Sequence, residues 1–289
     1  MKRILSFLLV ISFHLSAQIK TVLKDSLTRK PIPYISAWSL DSDYAITSNK
    51  KGKIKIKKEY ENNNFLFFSS DYEVKKVTIK SLGKELLLMP KKQVDNSDTS
   101  MKISSKKLIK QDMISFYGIK SYYSIEKKST QLLAQFIPFQ SFCNNLMYLD
   151  EIIVGAKAHG HSGILKIRFF ESDSLGRPAS EIFLKQIVLK VPVLGFVSNE
   201  INENTGVTAD LKPYKIRFPK SGLFVAFEFM YTNENISSIK TVGNEFIEMT
   251  NPFILTNESE GDPVWEFKQG KWSKMENATP ILMKLSLTN

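Results

Sequence analysis

Cysteine is almost missing from this 289-residue chain: Cys143 stands alone, so no intrachain disulfide can form. A disulfide-stapled secreted domain is thereby excluded, and stability has to come from packed sheets. Cys143 lies in Phe142-Cys143-Asn144-Asn145 with no histidine nearby in sequence, which reads as a small buried hydrophobe and not a reactive thiol. Histidine is nearly as scarce, with three residues in all. Nothing approaches a GxGxxG or Walker phosphate loop. Gly160-His161-Ser162-Gly163 falls short of a nucleophile elbow, because a second glycine is needed where Ile164 stands.

Long apolar runs are missing too, apart from one. Ile4 to Leu15 follows Lys2 and Arg3 and precedes Leu15-Ser16-Ala17, which resembles a cleavage site ahead of Gln18. The run is far short of the roughly 20 residues that a bilayer-spanning helix needs, so residues 1–17 read as a signal peptide. No cysteine follows it to carry a lipid anchor. The mature chain is expected to be exported and soluble, without a transmembrane segment, in the periplasm or at the outer-membrane or cell surface.

Acidic residues are outnumbered, 29 against 40 Lys and Arg, giving a formal charge of +11, or +11 − 2 = +9 once Lys2 and Arg3 are removed. A basic exported protein is expected to be drawn to anionic polysaccharide or glycolipid. Nucleic acid is not an expected partner, since no base-reading motif appears and the destination is outside the cytoplasm.

What is present is β pattern. In Leu223 to Tyr231 both alternating sets are mostly apolar and aromatic, as in a strand covered on both sides near the middle of a sandwich. Pro219 and Ser221-Gly222 interrupt the chain before it. Upstream, 19–23, 32–38, 45–47, 53–57, 65–68, 74–79 and 85–89 read as short strands between polar turns, which argues for a small sandwich. Prolines 31 and 33 suit a strand's start or edge. Residues 91–107, rich in Ser, Asp and Lys, read as a linker. Residues 108–124 fit neither helix nor strand decisively. From Gln131 the strands resume at 132–137, 151–156, 164–170, 181–189, 193–197, 206–211, 223–231, 245–249, 263–267 and 281–287. The expected fold class is all-β: two β-sandwich domains, 18–90 and 108–289, the second jelly-roll-like.

Thr28-Arg-Lys-Pro-Ile-Pro33, Thr47-Ser-Asn-Lys-Lys-Gly-Lys-Ile54, Phe68-Ser-Ser-Asp-Tyr72 and Leu86-Leu-Leu-Met-Pro90 resemble the carboxypeptidase regulatory-like domain. The resemblance covers about residues 18–90. It implies a transthyretin-like seven-stranded sandwich, a non-catalytic module, and an exported protein of Bacteroidetes type. The chain departs from the family in lacking a glycine within Ile19 to Leu23 and in carrying Asp71 before Tyr72. Arg168 to Pro178, Asp210 to Pro219 and Phe224 to Glu228 resemble the jelly-roll-like sandwich that accompanies this module, which implies architecture and no activity. The resemblance does not reach the peptidase, whose HxxE pair is absent: neither His159 nor His161 has Glu three residues on.

The candidate site residues are few. His159 and His161, an i, i+2 pair, are geometrically able to bind zinc if extended, but Gly160 and Gly163 suggest a plain loop. Glu228 is expected to face solvent or to pair with Lys or Arg. Lys53, Lys55 and Lys57 alternate with Ile54 and Ile56, placing lysines outward as edge guards or as an anionic-partner surface. Trp265 and Trp272 flank an expected hairpin turn at 268–271, either packed or forming a sugar-stacking platform. Asn235-Ile-Ser237 is one of three glycosylation sequons, which the bacterial origin implied by the resemblance would leave without consequence. The leading expectation is a non-enzymatic exported envelope protein, without cofactor or metal, acting as a binding or assembly module toward an unknown envelope protein or glycan. The alternatives are a carbohydrate-binding protein using exposed aromatics, and a metal-dependent hydrolase using His159 and His161.

Overall fold

The computed structural model describes residues 18–92, 110–112, 119–125, 131–193, 206–240, 246–257, 264–268 and 270–289. The expected signal peptide, and the expected linker beyond residues 91 and 92, lie outside the described residues. The fold is all-β, and among the described residues no helix is long and apolar enough to cross a membrane.

Seven short strands make the first sandwich: β1 (Gln18–Asp25), β2 (Ser36–Ser39), β3 (Ala45–Thr47), β4 (Lys53–Lys57), β5 (Asn64–Phe68), β6 (Lys75–Thr78) and β7 (Glu85–Leu88). They form an outer sheet, β4-β1-β7, and an inner sheet, β3-β2-β5-β6. Alternation decides which residues meet between them: Leu23, Ile54, Ile56, Leu86 and Leu88 from one sheet pack on Ile35, Ala37, Phe65 and Phe67 from the other.

The second sandwich contains β8 (Lys110–Asp112), β9 (Ile119–Ile125), β10 (Gln131–Ile137), β11 (Tyr148–Lys157), β12 (Gly163–Ser172), β13 (Pro178–Glu181) and β14 (Ile187–Val191). It continues with β15 (Gly206–Asp210), β16 (Leu223–Phe229), β17 (Ile236–Lys240), β18 (Phe246–Asn257), β19 (Val264–Lys268), β20 (Lys271–Lys274) and β21 (Met283–Thr288). The inner sheet runs β13-β12-β16-β10-β19-β20, with β14 also on β12; the outer runs β17-β18-β11-β21-β8, with β15 on β11 and β9 on β18. The undecided segment 108–124 thus supplies two strands, β8 and part of β9. The stretch read as one strand at 181–189 is broken by an irregular turn over 182–186, because β13 and β14 pair with different halves of β12. β17 has no counterpart among the expected strands.

The two inner sheets pack on each other, so the chain is a stack of four sheets with three buried layers. Trp38, Ala45 and Phe68 of the small sandwich meet Leu132, Ala134, Phe170, Phe224 and Ala226 of the large one. β16 explains its own sequence: Leu223, Val225, Phe227 and Phe229 enter the large core, while Phe224 and Ala226 enter the layer between the sandwiches. All seven of its residues are buried. Its start is fixed by Gly222 at φ 91°, where a Cβ would lie 2.4 Å from ring carbons of Phe136. Only glycine fits there.

The middle layer is aromatic at one end. Trp38 lies 4.5 Å from Phe68 edge-to-face and 4.9 Å from Phe267, centroid to centroid. Trp272 packs on Phe267 at 4.9 Å and on Phe170 at 5.4 Å. Trp38, Phe68 and Phe170, the buried ones among these, each contribute on the order of 1.5–3 kcal/mol. The Trp38 indole N–H finds no acceptor among the described residues, so this ring acts through apolar area and ring geometry alone.

Trp38→Ala should therefore cost about 3–5 kcal/mol and uncouple the sandwiches. Calorimetry should resolve one transition for the parent chain and two for the variant. A single transition at unchanged temperature in the variant would refute the packing role.

Candidate functional site at the sandwich junction

Beside the aromatic end, the middle layer holds the densest group of buried charge in the described chain. Antiparallel register sets Lys166 of β12 directly opposite Glu228 of β16, with Arg168 one step along the same face. Lys166 Nζ is 3.7 Å from Glu228 Oε1, and Arg168 Nη1 is 3.5 Å from Glu228 Oε2. Arg168 grips Glu181 with two parallel bonds, Nε to Oε1 at 2.8 Å and Nη2 to Oε2 at 2.7 Å. Lys166 is 2% exposed and Glu228 1%, so water does not share these charges. The four charges sum to zero, as burial at this depth demands.

The small sandwich completes the group. Ser36 Oγ donates to Glu228 and Lys166 Nζ donates to the carbonyl oxygen of Tyr34. Gln186 Nε2 donates to Asp71 Oδ1 at 3.2 Å and to the Pro33 oxygen at 3.4 Å, and Thr47 N donates to the Tyr231 oxygen at 3.0 Å. Tyr34 holds φ 57°, an uncommon conformation for a bulky residue, and its hydroxyl donates to Glu234 Oε2 at 3.0 Å. Strained backbone at this position keeps the Tyr34 carbonyl aimed at the ammonium. Arg168 joins the two ends of the layer, its guanidinium carbon 5.4 Å from the Phe68 ring and 5.3 Å from the Phe170 ring.

Burial is the largest influence on Lys166 and lowers its pKa, only partly opposed by Glu228. Burial also pulls on Arg168, but Glu181 and then Glu228 outweigh it and hold the guanidinium above its ordinary value. Tyr34 is pushed up to about 12 by burial and by its bond to Glu234. Lys166 and Glu228 are almost wholly withdrawn from solvent between the sheets. Chemically the cluster is a clasp.

At the rim, the junction opens into a cleft of about 480 Å³ whose walls include Asp25, Tyr34, Asp71, Tyr72 and Gln186. Asp25 closes a turn by accepting the N–H groups of Leu27 at 2.8 Å and Thr28 at 2.7 Å, and it accepts the Tyr72 hydroxyl at 2.9 Å. The Thr28 bond is the main cause holding the Asp25 carboxyl below its usual range. Leu27 and Met89 stand exposed beside an adjoining hollow of about 600 Å³ that Leu184 also lines.

No family model, curated protein or solved structure matches this chain.

The residues singled out from sequence are dispersed. Glu228 pairs with Arg168 and Lys166 as the pairing expectation has it, but the partners are a tertiary matter that spacing does not reveal. His159 and His161 lie in the loop between β11 and β12, as their flanking glycines suggest. His161 points Nε2 at the Ile236 oxygen at 2.7 Å and Nδ1 at the Ser162 oxygen at 3.0 Å, so both nitrogens face backbone. His159 packs on Phe253, and buried Asn251 ties its backbone at both ends, N to Oδ1 at 2.9 Å and Nδ2 to O at 2.8 Å. Asn235, a sequon asparagine, is fully buried and spends its amide on Ile164 and Met230. Among the described residues no group of three or more His, Cys, Asp or Glu could hold a metal.

Trp265 and Trp272 are half-buried, each turned edgewise to a phenylalanine (Phe224 and Phe170). Trp272 sits across the hairpin from Phe267, not from Trp265. Lys53, Lys55 and Lys57 are exposed on β4, with Ile54 and Ile56 beneath. Cys143 is buried in the large core. What sequence reading missed is Lys166: a lysine in an apolar strand, one face-step from Arg168, is the signal that could have exposed the clasp.

Glu228→Ala should leave two cations buried against a deficit of counter-charge and cost about 3–5 kcal/mol, measured by urea denaturation. Lys166→Met with Glu228→Leu should recover most of that loss; equal damage from the pair would contradict the clasp. A second expectation concerns pH. The depressed Asp25 pKa contributes stability above the unfolded value of about 4 that is lost as pH falls through the folded value. Asp25→Asn retains the Oδ1 acceptor, so its stability deficit at about pH 6 should shrink by about pH 3. A deficit independent of pH would contradict the assignment.

Proposed function

We propose that the chain is a non-enzymatic exported protein of the cell envelope that serves as a binding or assembly module. The observation that carries this reading is the sealing of Lys166, Arg168, Glu181 and Glu228 between the inner sheets. The groups best suited to acid–base work are spent on joining two sandwiches into one body. What remains available to a partner is outward sheet surface, strand edge and the junction rim.

In this reading the small sandwich is a carboxypeptidase regulatory-like, transthyretin-like domain. Its seven strands in a three- and a four-stranded sheet support that assignment, as do the sequence Thr28–Pro33 after β1 and the closing strand at Glu85–Leu88. Lys2, Arg3 and the Ile4–Leu15 run support export to the periplasm or the outer surface. A junction stabilised by burial suits a protein outside the cytoplasm that has no disulfide to rely on.

Expression of the full chain in a Gram-negative host, followed by fractionation and mass measurement, tests the proposal. A mature chain beginning at Gln18 in the periplasmic or outer-membrane fraction is expected. Retention in the cytoplasm with Met1 to Ala17 attached would overturn it.

A further inference from the structure

The outermost of the four sheets, β4-β1-β7, buries one face in the small core, and among the described residues nothing covers the other. That outward face is plated with lysine. β4 contributes Lys53, Lys55 and Lys57, and β1 contributes Lys20 and Lys24. Register places Lys20 directly opposite Lys55, which sets two like charges about 5 Å apart at Cβ. Lys24 is answered by Glu85 and Lys57 by Glu59. Lys20, Lys53 and Lys55 have no carboxylate partner among the described residues. Five cations less two carboxylates leave 5 − 2 = +3 on this face.

Edge protection accounts for lysines on β4, which is an edge strand. It does not account for Lys20, because β1 is the central strand of its sheet. The like-charge pair of Lys20 and Lys55 weakens the sheet in isolation, and an external anion relieves it. The three unanswered ammonium groups stem from a triangle with sides of about 5–8 Å, given strand rise and strand spacing, its longest side the diagonal from Lys20 to Lys53. A linear polymer that repeats its charge can meet more than one of them at once. Lysine's mobile point charge suits such repeating anions better than one rigid bidentate ligand. Within the three strands the outward apolar residues, Val22 and Leu87, are half-buried. The exposed Leu27 and Met89 lie past the ends of β1 and β7, at the far end of β1 from Lys20. No large apolar side chain therefore stands out among the unanswered lysines to enter a lipid headgroup layer.

We infer that this face binds a linear acidic polysaccharide, with Lys20, Lys53 and Lys55 as the anion-contacting residues. The inference rests on the envelope reading for the kind of polymer and adds the surface and its chemistry. The test uses the mature chain from Gln18 to Asn289 with polygalacturonate as probe, neutral dextran as control, and vesicles containing phosphatidylglycerol. Replacing Lys20, Lys53 and Lys55 together by Gln should weaken polygalacturonate binding about tenfold or more at low salt. Replacing Lys185, Lys190 and Lys220 by Gln removes the same charge from exposed positions on the large sandwich and should change it less than about twofold. Three results would each overturn the inference: equal losses in the two variants, no polygalacturonate binding by the parent chain, or lysine-dependent binding to vesicles alone. Cytoplasmic retention would end the envelope reading without affecting this measurement, and absent binding would end the inference while leaving export untouched.

Discussion

Everything in this molecule depends on the two inner sheets being pressed together with charge trapped between them. An ammonium, a guanidinium and two carboxylates leave water there, and each loses several kcal/mol of hydration by doing so. Mutual neutrality, the bidentate grip of Arg168 on Glu181, and donors or acceptors from the small sandwich offset that loss. Neither sandwich satisfies the group alone. Large-sandwich charges without Ser36 and Tyr34 would be underbonded, and small-sandwich aromatics without β12, β16 and β19 would lie in water. The charged end therefore fixes where the sheets meet, and the aromatic end supplies most of the adhesion.

Two classes of lysine follow from this layering. Lys166 is enclosed, matched and held to a backbone oxygen. Lys20, Lys53 and Lys55 lie two sheets away on the outermost face, unanswered by carboxylate among the described residues. The inner lysine shapes the protein and the outer ones face whatever surrounds it. Between them, Tyr34 carries the backbone strain that lets a loop of the small sandwich reach the clasp, and burial together with Glu234 holds its hydroxyl protonated.

Much of the fold was legible because alternation is a local property. Lys53 to Lys57 announces its inward and outward sets, and the two-sided apolar pattern of Leu223 to Phe229 announces cover on both faces. What covers the second face was hidden, since nothing in Phe224 or Ala226 says that the neighbour is another domain. Glu228 could be expected to find a cation, yet Lys166 lies 62 positions away and is joined to it only by strand register. Ile182, Phe183 and Leu184 look like strand residues, and their break arises because β12 takes two partners in succession. The histidine loop is set by Asn235 and Asn251, whose roles depend on backbone groups brought near by folding. Local pattern thus reported faces and spacing, while partnership across sheets belonged to the tertiary structure.

Native-state hydrogen exchange of the mature chain bears most directly on the claim that the junction makes one cooperative body. Amides of β2 in the small sandwich and of β16 in the large one should exchange with the same free energy of opening, equal to that of global unfolding. Exchange of β2 through a much cheaper opening that leaves β16 protected would show two independently folding sandwiches, and would contradict the account.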